Sequence, residues 1–166
     1  MIRILGIDPG TAIVGWGILD CTNSGQLTKT VAYGHIETYK DLPTAERLKE
    51  IADNLLLLIK KYNPHETAIE ELFYFKNAKT VISVAQARGV IINTCFQEDL
   101  TIAEYTPLQI KQSLTGYGRA DKTQMQKMIK SVLNLKSIPK PDDTADALTV
   151  ALCHINSRRY IQKINN

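Results

Sequence analysis

Three strand-like apolar runs stand one after another at the head of the chain, at residues 2–7, 12–19 and 28–38, separated only by a Pro9-Gly10 turn and an Asn23-Ser24-Gly25 turn. Links that short bring the chain back antiparallel, so the three runs predict a meander. The period then lengthens. Over residues 43–62, Leu48, Ile51, Leu55, Leu58 and Ile59 fall on one helical stripe, which Asn63-Pro64 ends. A short strand at 67–72, a long helix at 77–97, a fifth strand at 100–104 and helices at 107–114, 121–135 and 142–157 complete the reading. Ile138-Pro139-Lys140-Pro141 resists helix and keeps the last two helices apart. A meander followed by strands that alternate with helices predicts an α/β fold: a five-stranded mixed sheet, three antiparallel strands plus two parallel ones, flanked by helices.

The 166 residues, 44% of them hydrophobic, suffice for one core and are few for two. A single domain over residues 1–158 with a short C-terminal tail at 159–166 is expected. Along 77–97 the apolar positions Val81, Ile82, Val84, Ala85, Ala87, Val90, Ile91 and Ile92 wrap most of the way round the helix, more than one sheet face covers. A second copy of the chain is the expected cover, which makes a homodimer. Cys21, Cys95 and Cys153 are odd in number, far apart and outside any C-x-x-C spacing. Neither a disulfide framework nor a zinc site is expected, and a reducing cytoplasm fits. The longest unbroken apolar stretch, residues 55–59, is too short to span a membrane, and the N-terminal pattern is not that of a signal peptide.

The formal net charge of +3 conceals a local block. Residues 1–110 carry ten Lys and Arg against thirteen Asp and Glu, and residues 141–166 carry three of each. Between them, residues 111–140 hold seven cations, Lys111, Arg119, Lys122, Lys127, Lys130, Lys136 and Lys140, against Asp121 alone. Clustered cations gain affinity for nucleic acid by releasing its condensed counterions; the competing reading is a solvated helix face.

Four acids in three separate places carry the candidate chemistry. Asp8 lies in Gly6-Ile7-Asp8-Pro9-Gly10-Thr11, Glu70 in Ala68-Ile69-Glu70-Glu71-Leu72-Phe73, and Asp143 and Asp146 in Asp142-Asp143-Thr144-Ala145-Asp146-Ala147. The first two interrupt or end apolar runs, where an ionised carboxylate is costly unless paired, hydrogen-bonded or bound to a metal. Asp143 and Asp146, three apart in the first turn of the last helix, share one face beside the positive end of its dipole. Asp142, four before Asp146, is not excluded by spacing, but N-capping is the role expected of it. Singly, each acid reads as well as a turn, strand-end or capping residue. Together, oxygen ligands without His or Cys suit a hard cation such as magnesium. Two such cations about 4 Å apart activate water on one side of a phosphodiester and stabilise the leaving oxygen on the other. His35, His65 and His154 stand apart from these acids in sequence and are read as structural.

In this order and over nearly the whole chain, Gly6-Ile7-Asp8-Pro9-Gly10, Ala68-Ile69-Glu70, Gln86-Ala87-Arg88-Gly89, Lys111-Gln112 and Ala145-Asp146-Ala147-Leu148 resemble the motifs of the RuvC family of crossover junction endodeoxyribonucleases. That family has a ribonuclease H-like fold. The resemblance implies that Asp8, Glu70, Asp143 and Asp146 are catalytic, metal-binding acids, Glu70 being preferred to Glu71 because it follows Ala-Ile. Glu71 departs from the uncharged residue common at its place, and neighbours within a strand point to opposite faces, so one of the two serves the site. By the same resemblance Lys111 and Lys122 serve junction binding and phosphate stabilisation, and Phe73 lies in a base-contacting loop; Arg119, in the flexible basic loop 116–119, is expected to bind DNA as part of the charge block. Core packing is the other reading of Phe73, since Tyr74 and Phe75 stand beside it.

The family likeness further implies two Mg2+ ions per subunit, with Mn2+ as substitute. It implies a homodimer that nicks two strands of like polarity symmetrically across a four-way Holliday junction, in DNA recombination and repair. The ends would be 5′-phosphate and 3′-hydroxyl, the cleavage sites thymine-rich, and the partner the RuvA–RuvB branch-migration complex. Gly6-Ile7-Asp8-Pro9-Gly10-Thr11 also resembles the first phosphate loop of actin-like and sugar-kinase ATPases, but those need two large domains, and no second phosphate loop is seen. A ribonuclease H-fold nuclease acting on a ribosomal RNA precursor is set against Phe73, Lys111 and Lys122. A catalytically silent junction-binding module is set against the full set of four acids.

Overall fold

The computed structural model describes residues 1–72 and 80–164. Strands β1 (Ile2–Asp8), β2 (Ile13–Cys21) and β3 (Leu27–Glu37) form the meander; helix α1 (Thr44–Tyr62) leads to β4 (Glu66–Glu70), and α2 (Val81–Gln97) leads to β5 (Thr101–Tyr105). Helices α3 (Pro107–Thr115), α4 (Lys122–Val132) and α5 (Asp142–Ile164) follow. The sheet order is β3-β2-β1-β4-β5, with β2 antiparallel to its neighbours and β4 and β5 parallel to β1. This is the five-stranded mixed sheet expected from the sequence. The meander grows from one side of β1 and the parallel strands from the other, so the C-terminal ends of β1 and β4 open where the strand order switches, the usual ligand position in such sheets.

Side chains alternate across the sheet. Leu5, Ile7 and Ile69 pack with Ile51, Leu55 and Ile59 of α1 and with Ala87 and Ile91 of α2. On the other face Ile4, Leu19 and Ala68 pack with Leu148 and Ala151 of α5, Ile110 of α3 and Ile129 of α4. The residue after Ile7 and the residue after Ile69 therefore belong to the α5 face, and these are Asp8 and Glu70. Helix α5 lies very close to that face. A Cβ on Gly6 would stand 2.3 Å from the Ala147 carbonyl oxygen, and one on Gly15 would stand 1.9 Å from that of Asp143. Two glycines thus let the helix backbone rest directly on β1 and β2, and Thr144 Oγ1 donates to the Gly34 carbonyl oxygen of β3 at 3.2 Å.

Several boundaries differ from the sequence reading. Helix α5 runs on to Ile164, its backbone continuing through 159–164, because no glycine or proline follows Ser157 to stop it. Helix α4 ends sooner, at Val132, and Asn134 leaves it in the left-handed conformation at φ 51°. Asp142 is the first residue of α5 and not its N-cap; the Thr144 N–H already bonds to the Pro141 carbonyl oxygen at 3.0 Å. The expected start of the second helix at 77 lies outside the described residues, whose helix begins at Val81.

His154 is structural, as expected. It is buried between Tyr105 Oη, 2.7 Å from Nδ1, and Glu66 Oε2, 2.7 Å from Nε2, while Arg158 pairs with the other Glu66 oxygen. Burial holds its pKa down against the opposing pull of Glu66. A neutral ring that donates from Nε2 to Glu66 and accepts from Tyr105 at Nδ1 satisfies every partner. Glu66 begins β4 and Glu70 ends it, so this network sits at the far end of the strand from the acids. Among the described residues no helix is long and apolar enough to cross a membrane.

Candidate active site

Asp8 ends β1 and Glu70 ends β4, and these parallel neighbours are in register at Ile7 and Ile69. The two carboxylates therefore leave the sheet side by side. Asp8 also stands opposite Gly15 of β2, the residue on which the Asp143 backbone rests, and Asp146 follows one turn later on α5. The crowding is felt most at Asp8. Burial, then the charges of Glu70, Asp146 and Asp143 in that order, push its pKa well above the usual carboxylate range, and Lys122 offsets part of the rise. Asp146 is raised too, by burial first, with Lys122 pulling the other way.

A cleft of about 580 Å³ opens at this edge, lined by Asp8, Glu70 and Asp146 together with Arg88, Lys111 and Lys122 and the apolar side chains of Leu72, Val84, Leu108 and Met125. Lys122 Nζ lies 3.3 Å from Asp146 Oδ2 and 3.4 Å from Asp142 Oδ2. Desolvation works against its charge, but the two carboxylates prevail and raise its pKa. Both lysines are presented by capped helices. Thr106 and Gln109 form a capping box at the start of α3, with Pro107 in its first turn, and Asp121 and Gln124 form another at the start of α4, whose first residue is Lys122. Arg119 is exposed in the link between these helices. Phe73, like Tyr74 and Phe75, lies outside the described residues.

Arg88 and Glu71 line the cleft without having been singled out for it. Arg88 donates from Nε to the Glu70 carbonyl oxygen at 3.2 Å and pairs with Glu104, so α2 pins the end of β4 to β5. Its signal was present in the sequence: it is the one charged residue in α2, and a charge in so apolar a helix needs a partner. Glu71 was expected on the opposite face from Glu70. It instead falls one residue past the end of β4, where strand alternation no longer applies, and its N–H bonds to the Tyr105 carbonyl oxygen at 2.9 Å. Glu70 is the leading charge acting on Asp8, which marks it as the nearer acid.

The donors gathered here are carboxylate oxygens, the ligand type of a hard divalent cation, and an Asp8 driven toward its neutral form marks a cluster short of positive charge. That chemistry fits magnesium held by Asp8, Glu70, Asp143 and Asp146. Among the described residues, no three His, Cys, Asp or Glu side chains are already closed into a ligand set. Asp146 is turned to Lys122 instead.

The sequence profile of the family described as crossover junction endodeoxyribonuclease RuvC matches residues 4–154. The crossover junction endodeoxyribonuclease RuvC of Caldicellulosiruptor saccharolyticus is 57% identical over 156 residues, which cover 94% of this chain and 93% of that protein. Among solved structures, Thermus thermophilus RuvC matches with a TM-score of 0.86 at 30% identity, over 96% of both chains. T. thermophilus RuvC in complex with Holliday junction substrate matches with a TM-score of 0.88 at 29% identity, again over 96% of both chains. The profile spans every element that carries one of the four acids, from β1 to the start of α5. The chain belongs to the RuvC family of crossover junction endodeoxyribonucleases.

Proposed function

We propose that this chain is a magnesium-dependent Holliday junction resolvase, a homodimer that nicks two strands of like polarity at symmetric positions and leaves 5′-phosphate and 3′-hydroxyl ends. The observation that carries this reading is the crowding of Glu70, Asp143 and Asp146 about Asp8 at the edge of a cleft that also receives Lys111 and Lys122. The likeness to a T. thermophilus relative seen with Holliday junction substrate supports the four-way junction as substrate here. RuvA–RuvB is the proposed partner by family resemblance, and a cytoplasmic location goes with it.

Two divalent cations, when bound, supply an activated water and compensate the charge of the leaving oxygen. The remaining work falls to the chain. Asp8 and Glu70 on strand ends and Asp143 and Asp146 on a helix packed against glycine give four carboxylates whose backbone cannot drift, which is the preorganisation that phosphoryl chemistry demands. With its pKa raised by burial and by the neighbouring acids, Asp8 binds a proton in competition with a cation. Lys111 and Lys122 stand where phosphate oxygens enter the cleft and stabilise the charge that grows there. Exposed Arg119, Lys127 and Lys136 extend the positive surface beyond it. The test compares a four-way junction, a linear duplex and an RNA–DNA hybrid of the same sequence with Mg2+. Paired nicks in the junction alone are expected; equal cleavage of duplex or hybrid would set the proposal aside.

The outward face of α2 supports the dimer. Ile82 is 71% exposed and Phe96 72% exposed, and a Cβ added to Gly89, midway between them, would meet nothing within 4 Å. These three fall at seven-residue intervals on one stripe, the spacing of a helix-to-helix seam. Ile82→Glu places a charge in that seam and should yield monomers in sedimentation at micromolar concentration. The monomers should nick the two strands of a junction independently, whereas the wild-type dimer nicks both in one binding event. A wild-type chain that sediments as a monomer contradicts the dimer.

A further inference from the structure

Lys122 has two carboxylate partners of different standing. Asp146, at 3.3 Å, belongs to the acid cluster and is among the charges that shift Asp8. Asp142, at 3.4 Å, lies outside the lining of the cleft that Asp8, Glu70 and Asp146 share. Asp142 is itself held from a second side: Lys140 Nζ lies 2.7 Å from its Oδ1.

The side chain of Lys122 is 57% exposed and both of its carboxylate partners are partly open to water, Asp146 at 34% and Asp142 at 38%, so neither pair is strong and the ammonium exchanges readily between the two. If the four acids hold a divalent cation, Asp146 would be given up by the Lys122 ammonium. A lysine with Asp146 as its one partner would then swing into solvent on a flexible stem. Lys122 has Asp142 to hold it. The charges of Lys140, Asp142 and Lys122 then sum to one net positive charge, standing beside the cleft that phosphate oxygens must enter.

We infer that Asp142 is a positioning residue that retains Lys122 at the reaction site after a divalent cation has claimed Asp146, so that the lysine serves first as a stand-in for the cation and then as a contact for phosphate. The inference rests on the metal-binding reading of the four acids. Two measurements test it in the wild type, Lys122→Met, Asp142→Asn and the double variant: calorimetric Mn2+ binding without DNA, and single-turnover cleavage of a four-way junction at saturating protein. Lys122→Met should bind Mn2+ about fivefold more tightly, because no ammonium competes for Asp146, yet cut at least about thirtyfold more slowly. Opposite signs of this kind do not arise from a merely structural role. Asp142→Asn should weaken Mn2+ binding about threefold and slow cleavage about tenfold with Lys122 present, and change either by less than about twofold in the Lys122→Met background. Equal effects of Asp142→Asn in both backgrounds, or Mn2+ binding to Lys122→Met no tighter than to wild type, would overturn the inference. Failure of the wild type itself to bind Mn2+ would overturn the metal-site reading, and the inference with it.

Discussion

An Asp8→Asn protein binds a four-way junction about as tightly as the wild type and cuts it at least about a thousandfold more slowly, a loss of about 4 kcal/mol in transition-state stabilisation. The two halves of this expectation have separate physical sources. On the proposed reading, affinity for the junction comes from cations that release counterions, and these lie on α3, on α4 and in the links that flank α4. The chemistry needs charged oxygen ligands, and an amide at position 8 supplies a weaker, neutral one. Glu70→Gln, Asp143→Asn and Asp146→Asn should behave alike, with binding measured by fluorescence anisotropy without divalent cation and cleavage under single turnover. Glu71→Gln is the matched control. It lines the same cleft but lies past the end of β4, and Glu70 is the leading charge on Asp8, so it should keep its rate within about threefold. Because burial and the neighbouring acids raise the Asp8 pKa, its proton competes with the cation, and the competition strengthens as pH falls. The half-saturating Mg2+ concentration should therefore rise toward low pH. A Glu70→Gln protein that cuts at a near-normal rate removes Glu70 from the site.

Gly15→Ala should cost at least about a hundredfold in cleavage without touching an ionisable group. The added Cβ would lie 1.9 Å from the Asp143 carbonyl oxygen and 2.4 Å from its carbonyl carbon, both backbone atoms, so the first turn of α5 must lift from β2. Asp143 and Asp146 move with it, and a misplacement of about 1 Å among catalytic groups is enough for about a hundredfold loss. The strain should also destabilise the fold by roughly 1–3 kcal/mol, seen as a lower melting temperature, while the protein remains folded at 25 °C. Junction affinity should change far less than rate, since α3 and α4 carry the basic surface. Wild-type rate and melting temperature in Gly15→Ala would mean that α5 does not rest on this glycine.

The meander and the alternation of later strands with helices are legible in the chain because each depends on local pattern: short turns, a period of two, then a period near 3.6. The four acids are legible as residues but their meeting is not. Asp8 and Glu70 adjoin because β1 and β4 pair in parallel at Ile7 and Ile69, a contact between segments sixty-two residues apart. The approach of Asp143 depends on Gly6 and Gly15, whose purpose appears only when a helix lies over them. Asp142 was read as a cap from its place after Pro141, a local rule that yields here to its contacts with Lys122 and Lys140. Arg88 likewise takes its role from Glu70 and Glu104, which only the fold brings to it.

The most direct measurement is anomalous diffraction from crystals of the protein grown with Mn2+. The account predicts two anomalous peaks bounded by the carboxylates of Asp8, Glu70, Asp143 and Asp146, with Lys122 no longer on Asp146. Peaks elsewhere, or none at this cluster in a protein that still cuts junctions with Mn2+, would contradict it.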